Sequence, residues 1–381
     1  MKRRAFLAGA GVGVAALAGC SARRTADDPT TEATTDSGTD TATNTDTPAG
    51  TTTTADSGGT LVVATYSPFV DAPSTSPGSW LKREFESAFD ATLVYQTPEN
   101  EINYYIERRN AGVDIEADVY VGLNPDTLVR LDENLEGDAL FAGAGDVEAG
   151  TVKESLSFDP EGRAVPYDTG YISLVYDSTA GSEFEAPATF DGLLEPAYEG
   201  DLLAQNPASS ATGRAFLLHT IDAKGEDGYL DYWSALQDNG VRVLGKWSDA
   251  YAAYSNGEAP MVVSYSTDQV FASRANEDLA QHQIRFLDDQ GYANPEGMAA
   301  FADSDQPELA RQFMSFVLRP EIQGGIAVRN VAFPATTDAQ VPEDYAQYAQ
   351  EPPEAVTFTY DQLKGNLSGW IEDWERQFAS K

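Results

Sequence analysis

Four short segments carry side chains able to hold a small molecule: Tyr66-Ser67-Pro68-Phe69, Gly122-Leu123-Asn124-Pro125, Asn206 to Arg214, and Tyr265-Ser266-Thr267-Asp268. Tyrosine rings offer flat faces to aromatic or cationic groups and hydroxyls to hydrogen-bonding edges. In Asn206-Pro207-Ala208-Ser209-Ser210-Ala211-Thr212-Gly213-Arg214, hydroxyls and a glycine can leave helix N-terminal amides open to an anion. Simple N-capping by Ser210 or Thr212 is the alternative. Trp247 opens another predicted helix and presents a further ring. Bond-making chemistry is poorly represented. The chain has no Gly-x-Ser-x-Gly elbow, His-Glu-x-x-His pair, Walker loop or zinc spacing, and its two histidines, His219 and His282, have no partner motif. A hydrolytic carboxylate pair among the 61 acids stays open, because separation in sequence says nothing of distance.

These segments gain meaning from the elements before them. Leu61 to Thr65, Thr92 to Gln96 and Asp118 to Gly122 read as strands, with helices at Ser79 to Phe89 and Glu101 to Ala111 between them, a β-α-β-α-β opening that predicts a helix-covered parallel sheet. Ile172 to Tyr176, Asp201 to Ala204 and Met261 to Tyr265 supply a second strand group, interleaved with helices at Gly213 to Ala223 and Ser248 to Asn256. Two α/β lobes are the economical account. Pro307 to Leu318 and Tyr360 to Phe378 read as later helices, the last carrying Leu363, Leu367, Trp370, Ile371, Trp374 and Phe378 on one broad face. Open α/β sheets bind ligands beyond the carboxyl ends of their strands, which is where the four segments fall.

The chain has 381 residues, 24 Lys+Arg against 61 Asp+Glu, and a formal charge of -37. This charge repels phosphate backbones and excludes nucleic acid as a general partner. With only seven lysines and 41% hydrophobic residues, it reads as a folded protein kept soluble in concentrated salt; a generic acidic surface is the alternative. Lys2, Arg3 and Arg4 followed by an apolar run from Ala5 to Ala18 form a signal peptide over residues 1–19. Its paired arginines before Phe6 and Leu7 look like a twin-arginine export signal, with an ordinary basic leader as the alternative. Leu17-Ala18-Gly19-Cys20 is similar to a lipobox, which would lipidate Cys20, the single cysteine. From Ser21 to Gly59 the 39 residues include fourteen threonines and no Val, Ile, Leu, Met, Phe, Trp or Tyr, a composition expected to form a disordered tether. Its root-mean-square reach would be roughly 35 Å. Lipid, tether and soluble body together resemble exported lipoproteins of halophilic archaea.

Seven stretches resemble, in order, the substrate-binding proteins of ABC importers, and among them the thiamine-binding family. They are Thr65 to Phe69, Ala117 to Leu123, Val165 to Tyr171, Asn206 to Gly213, Lys246 to Tyr251, Val263 to Thr267 and Gly369 to Trp374. The resemblance implies an α/β, type II periplasmic-binding-protein fold with a ligand cleft between two lobes. Residues 60–166 and 290–334 would form one lobe, 167–289 the other, and 335–381 a C-terminal helical segment packed on both. It implies thiamine or a thiamine phosphate as ligand, a membrane permease as partner, a monomer, no cofactor and no catalysis. Carried over by position, Tyr66, Trp247 and Tyr265 would be aromatic walls, and Gly122, Ser209, Ser210 and Gly213 would surround the hydroxyethyl arm. Asp168 and Tyr171 would lie at the lobe crossing, with Asp168 balancing the cation. The chain departs from the family at Val331, where a tryptophan is usual, at Asn124 in place of an aspartate, and at Phe271 in place of a tyrosine. Ferric-iron and polyamine carriers share the fold and are the alternative ligand classes, with an exported hydrolase the alternative outside binding proteins.

Overall fold

The computed structural model describes residues 58–72, 75–181 and 184–379. The expected signal peptide, Cys20 and nearly all of the expected tether lie outside the described residues. Among the described residues no helix is long and apolar enough to cross a membrane.

One mixed sheet organises the body. Across it run Thr92–Gln96, Thr60–Ala64, Val119–Leu123, Gln290–Ala300, Ala164–Tyr176, Met261–Tyr265, Leu202–Gln205 and Arg242–Leu244. The first three are parallel to one another, as are the last three. The two long central strands are antiparallel to each other and pair with both wings. Two parallel wings, each with its own helices, are thus joined by a shared antiparallel ribbon, which is the two-lobe arrangement expected.

Helical periodicity explains how the wings are covered. In Gly78–Ala88, Leu81 and Phe85 fall one turn apart and are buried, and Phe85 meets Phe313 of Pro307–Val317 edge to face at 5.3 Å. Ala211–Lys224 is buried at every position from Thr212 to Ile221, so it is a central helix packed on all sides. Trp233 and Trp374 are both buried and meet edge to face at 5.3 Å, which carries the C-terminal helix Leu367–Ala379 onto the helix Tyr229–Asp238. Such an aromatic pair contributes about 0.5–1.5 kcal/mol beyond its buried area.

Three features differ from the sequence reading. The single helix expected over Tyr360 to Phe378 is two, Tyr360–Leu363 and Leu367–Ala379, because the chain turns at Gly365 with φ 79°. The strand expected at Ile172 to Tyr176 begins at Ala164. Gln290–Ala300 is a strand despite Gly291, Asn294, Pro295 and Gly297, residues with poor strand propensity; its neighbours on both sides impose the conformation.

The ribbon is irregular where it matters for binding. Pairing with Gln290–Ala300 slips once around Gly122 in Val119–Leu123 and once around Tyr167 in Ala164–Tyr176. Such bulges bend a strand and re-aim side chains. The second slip sets Asp168 directly opposite Glu296.

Candidate functional site

The second bulge borders a cavity of about 270 Å³ whose walls come from both wings and the ribbon, and Gly122 of the first lies under Tyr66 of its wall. Tyr66 follows the strand Thr60–Ala64, Trp247 begins the helix Trp247–Ser255, Tyr265 ends the strand Met261–Tyr265, and Phe271 lies in the helix Asp268–Ala275. All four rings line the cavity, as does the carboxylate-bearing Asp168.

Two glycines make room for the rings. A Cβ on Gly122, whose φ is 102°, would lie 2.6 Å from the Tyr66 ring, and a Cβ on Gly170 would lie equally close to that of Tyr265. Trp247 is held from behind: its indole N–H donates to Ser264 Oγ at 3.0 Å, and its ring stacks on Tyr251 at 4.9 Å and 30°. The Tyr251 hydroxyl donates to Asp268 Oδ1 at 2.6 Å, while His282 Nδ1 lies 2.8 Å from Asp268 Oδ2. Burial works against a charge on His282, but Asp268 and Glu277 outweigh it and raise its pKa. Asp268 therefore has a basic partner outside the cavity, whose protonated form it favours.

The acids on the ribbon have none. Asp168 is 1% exposed and accepts a hydrogen bond from Asn330 Nδ2 at 2.7 Å. Glu296 is half-buried and lines the same cavity; its Oε2 accepts from the hydroxyls of Tyr66 at 2.9 Å and Tyr167 at 2.5 Å. Burial, and for Asp168 the nearby Glu296, push both carboxyls above their ordinary range, although the hydrogen bonds pull the other way. Burial likewise raises the phenols of Tyr66, Tyr167 and Tyr265. No lysine, arginine or histidine lines the cavity among the described residues. The arrangement suits a flat cation: aromatic faces around it and carboxylates at one end.

The remaining expected site residues stand elsewhere. Gly122 is the platform under Tyr66. Asn124 is buried one layer away, donating toward Asn294 and the Pro295 carbonyl. Tyr171 packs against Phe333 at 5.1 Å in a small core. Ser209 donates to the Gly245 carbonyl at 2.8 Å. Ser210 caps its helix, accepting from the Gly213 amide at 3.3 Å, and a Cβ on Gly213 would run into the Gln205 carbonyl at 2.4 Å. Thr212 links that helix to the cavity wall, its hydroxyl lying 3.4 Å from that of Tyr265. Val331, where the family tryptophan is absent, does line the cavity; it holds a left-handed φ of 53° beyond the helix Pro320–Asn330.

Sequence reasoning missed Glu296, Asn330 and Ser264. Ser264 lies inside the recognised MVVSY strand, but Glu296 sits in a strand whose composition conceals it, and Asn330 ends a helix whose two central glycines weaken its local signal.

Beside the cavity, a buried ion pair joins the wings. Arg214 of Ala211–Lys224 donates through Nε to Asp126 of Pro125–Asn134 and through Nη1 to the Pro207 carbonyl at 3.0 Å. Both side chains are 9% exposed.

Comparison with known proteins places this geometry. The thiamine-binding periplasmic protein of Salmonella typhimurium is 29% identical over 317 residues, covering 83% of this chain and 92% of that protein. A solved structure described as a periplasmic thiamin binding protein superposes with a TM-score of 0.71 at 27% identity, covering 84% of this chain and 96% of that one. The ferric binding protein of Campylobacter jejuni shares the fold at a TM-score of 0.68 and 15% identity, covering 83% of this chain and 99% of its own. The profile of the bacterial extracellular solute-binding proteins matches residues 117–353. The chain belongs to that family, as a two-lobe α/β binding protein and not an enzyme.

Proposed function

We propose that this chain is the extracytoplasmic binding component of an ABC importer, taking thiamine or a thiamine phosphate between its lobes and handing it to a membrane permease. The observation that carries this reading is the cavity itself: Tyr66, Trp247, Tyr265 and Phe271 line it together with Asp168 and Glu296, and among the described residues no basic side chain does. Thiamine has a permanently charged thiazolium for the acids and aromatic faces, and an aminopyrimidine that stacks and hydrogen-bonds at its edge. The relatives named as thiamine-binding support the same ligand. Binding energy then biases an open and closed equilibrium without any bond being made.

A ferric ligand finds less support. Iron would need phenolates, whereas burial raises the Tyr66 and Tyr167 phenols and both donate to Glu296. No group of three or more His, Cys, Asp or Glu side chains able to hold a metal ion occurs among the described residues. The test is calorimetric titration of ligand-stripped protein at high salt with thiamine, thiamine monophosphate and spermidine. A saturable heat with thiamine, at one ligand per chain, is expected. Heat with spermidine alone would reassign the protein to polyamines, and the monophosphate titration reads the preference at the arm.

The lobe limits above, lipidation of Cys20, twin-arginine export, a monomeric body and adaptation to concentrated salt belong to this proposal. Cys20→Ser is expected to leave binding unchanged while moving the protein from the membrane fraction to the soluble one. Continued sedimentation with membranes would refute the anchor.

A further inference from the structure

The cleft has a charge problem that is independent of any ligand. Asp168 and Glu296 face each other across two antiparallel strands in direct register, where Cβ atoms lie about 4.5–5.5 Å apart and like charges are destabilising. Both belong to the cavity, and Asp168 is buried. The groups that face them from every neighbouring element are neutral or acidic. From the segment after the first strand comes the Tyr66 hydroxyl; from their own ribbon, Tyr167 and Asn294; from the end of Pro320–Asn330, the Asn330 amide; from the opposite wall, Tyr265 and Asp268. Glu101, Tyr120 and Tyr345 lie further out; Arg130 and Arg214 act on Glu101 and Arg274 stacks on Tyr345, but none of these cations lines the cavity. Asp268 has His282 behind it. Arg329, next to Asn330, is turned away, its guanidinium 4.2 Å from the centre of the Trp80 ring. Two facing carboxylates with only hydroxyl and amide donors repel each other, which favours the retention of one proton by the pair.

We propose that Asp168 and Glu296 form a proton-sharing pair, and that a bound organic monocation replaces the shared proton, which leaves to solvent. This rests on the cation-binding reading above and adds to it a regulation of the same site. The net charge of the pair with its occupant is then unchanged by binding: one proton and two carboxylates before, one monocation and two carboxylates after. A neutral analogue of the same shape cannot make that exchange. The direction with pH follows. The pair keeps its proton at low pH and the cation must compete for it, so affinity rises with pH by up to about tenfold per unit while the proton is held, and levels off once the free pair ionises by itself. Burial of both carboxyls, with the charge of Glu296 acting on Asp168 and that of Glu101 on Glu296, puts that rise above the ordinary carboxylate range.

The experiment is calorimetry of the ligand-stripped full chain with thiamine at pH 7 and constant high salt, in phosphate and in Tris, whose ionisation enthalpies differ. The difference in apparent heat is expected to report release of about one proton per thiamine bound. In Glu296→Gln the repulsion on Asp168 is removed while its burial remains, so the released proton and the pH dependence of affinity should both diminish, and thiamine should bind more weakly for want of one acid. The amide oxygen introduced by that substitution can still accept from Tyr66 and Tyr167, so the variant keeps those bonds. Equal heats in the two buffers, with thiamine bound, would overturn the proton exchange and leave the ligand assignment intact. Infrared difference spectra between wild type and the Asp168→Asn/Glu296→Gln double variant, both without ligand at pH 7, test the pair independently. A protonated carboxyl C=O band specific to wild type is expected, and its absence would overturn the proposal whichever ligand binds.

Discussion

Asp126→Ala is expected to hold the cleft open and to weaken thiamine binding by a hundredfold or more. Its carboxylate is the partner of Arg214 across the wings, and both side chains are almost fully buried. Removing one member of a buried pair leaves an uncompensated charge, at a cost of about 3–5 kcal/mol. The Pro207 carbonyl satisfies one guanidinium N–H but does not cancel its charge. The cost falls on the closed arrangement, because separation of the wings would let Arg214 reach water. Small-angle scattering should therefore show a larger radius of gyration, and calorimetry a weaker ligand, with the melting temperature less affected. Arg214→Leu on top of Asp126→Ala should recover much of the lost affinity, since an apolar replacement of a buried ion pair is often neutral. Unchanged scattering and affinity in Asp126→Ala would remove this pair from closure.

Trp247→Ala is expected to cost about 1–3 kcal/mol of binding, roughly five- to a hundred-and-fifty-fold in Kd, through lost stacking and cation–π attraction. The indole is fixed on two sides, by Ser264 Oγ and by the Tyr251 ring, so little rotamer entropy remains to be lost on binding. Trp247→Phe should lie between, retaining a face but losing the bond to Ser264. Thiamine should change tryptophan emission saturably in wild type, and that change should shrink in Trp247→Ala. Binding unchanged by the substitution would keep the ligand and take Trp247 out of its wall.

The aromatic half of the cavity was legible by two routes. Tyr66 and Tyr265 follow predicted strands, where general strand-end logic finds them, whereas Trp247 and Phe271 are reached through the family resemblance. The acidic half was only partly legible. The family resemblance singles out Asp168 within Val165 to Tyr171, but Glu296 lies in Asn294-Pro295-Glu296-Gly297, a run of poor strand formers that is a strand because Val119–Leu123 and Ala164–Tyr176 pair with its two edges. Helix N-terminal logic located Asn206 to Gly213 as an element boundary; in the structure Ser210 spends its hydroxyl on the Gly213 amide. The bulges at Gly122 and Tyr167 depend on pairing register between distant strands, which no local pattern encodes.

The position of Trp370 and Trp374 has a consequence for how the protein is made. Trp374 seats on Trp233, and the Tyr229 hydroxyl donates to the Trp370 carbonyl across 141 positions of chain. A ribosome adding about 5–20 residues per second needs roughly 7–28 s to travel that distance. Through that interval the aromatic face of the helix Tyr229–Asp238 has been synthesised but not its cover, and an uncovered apolar face on a nascent chain invites aggregation. A helix translated 141 positions after the one it covers thus closes the core, and the body cannot be fully packed before Leu367–Ala379 has been made.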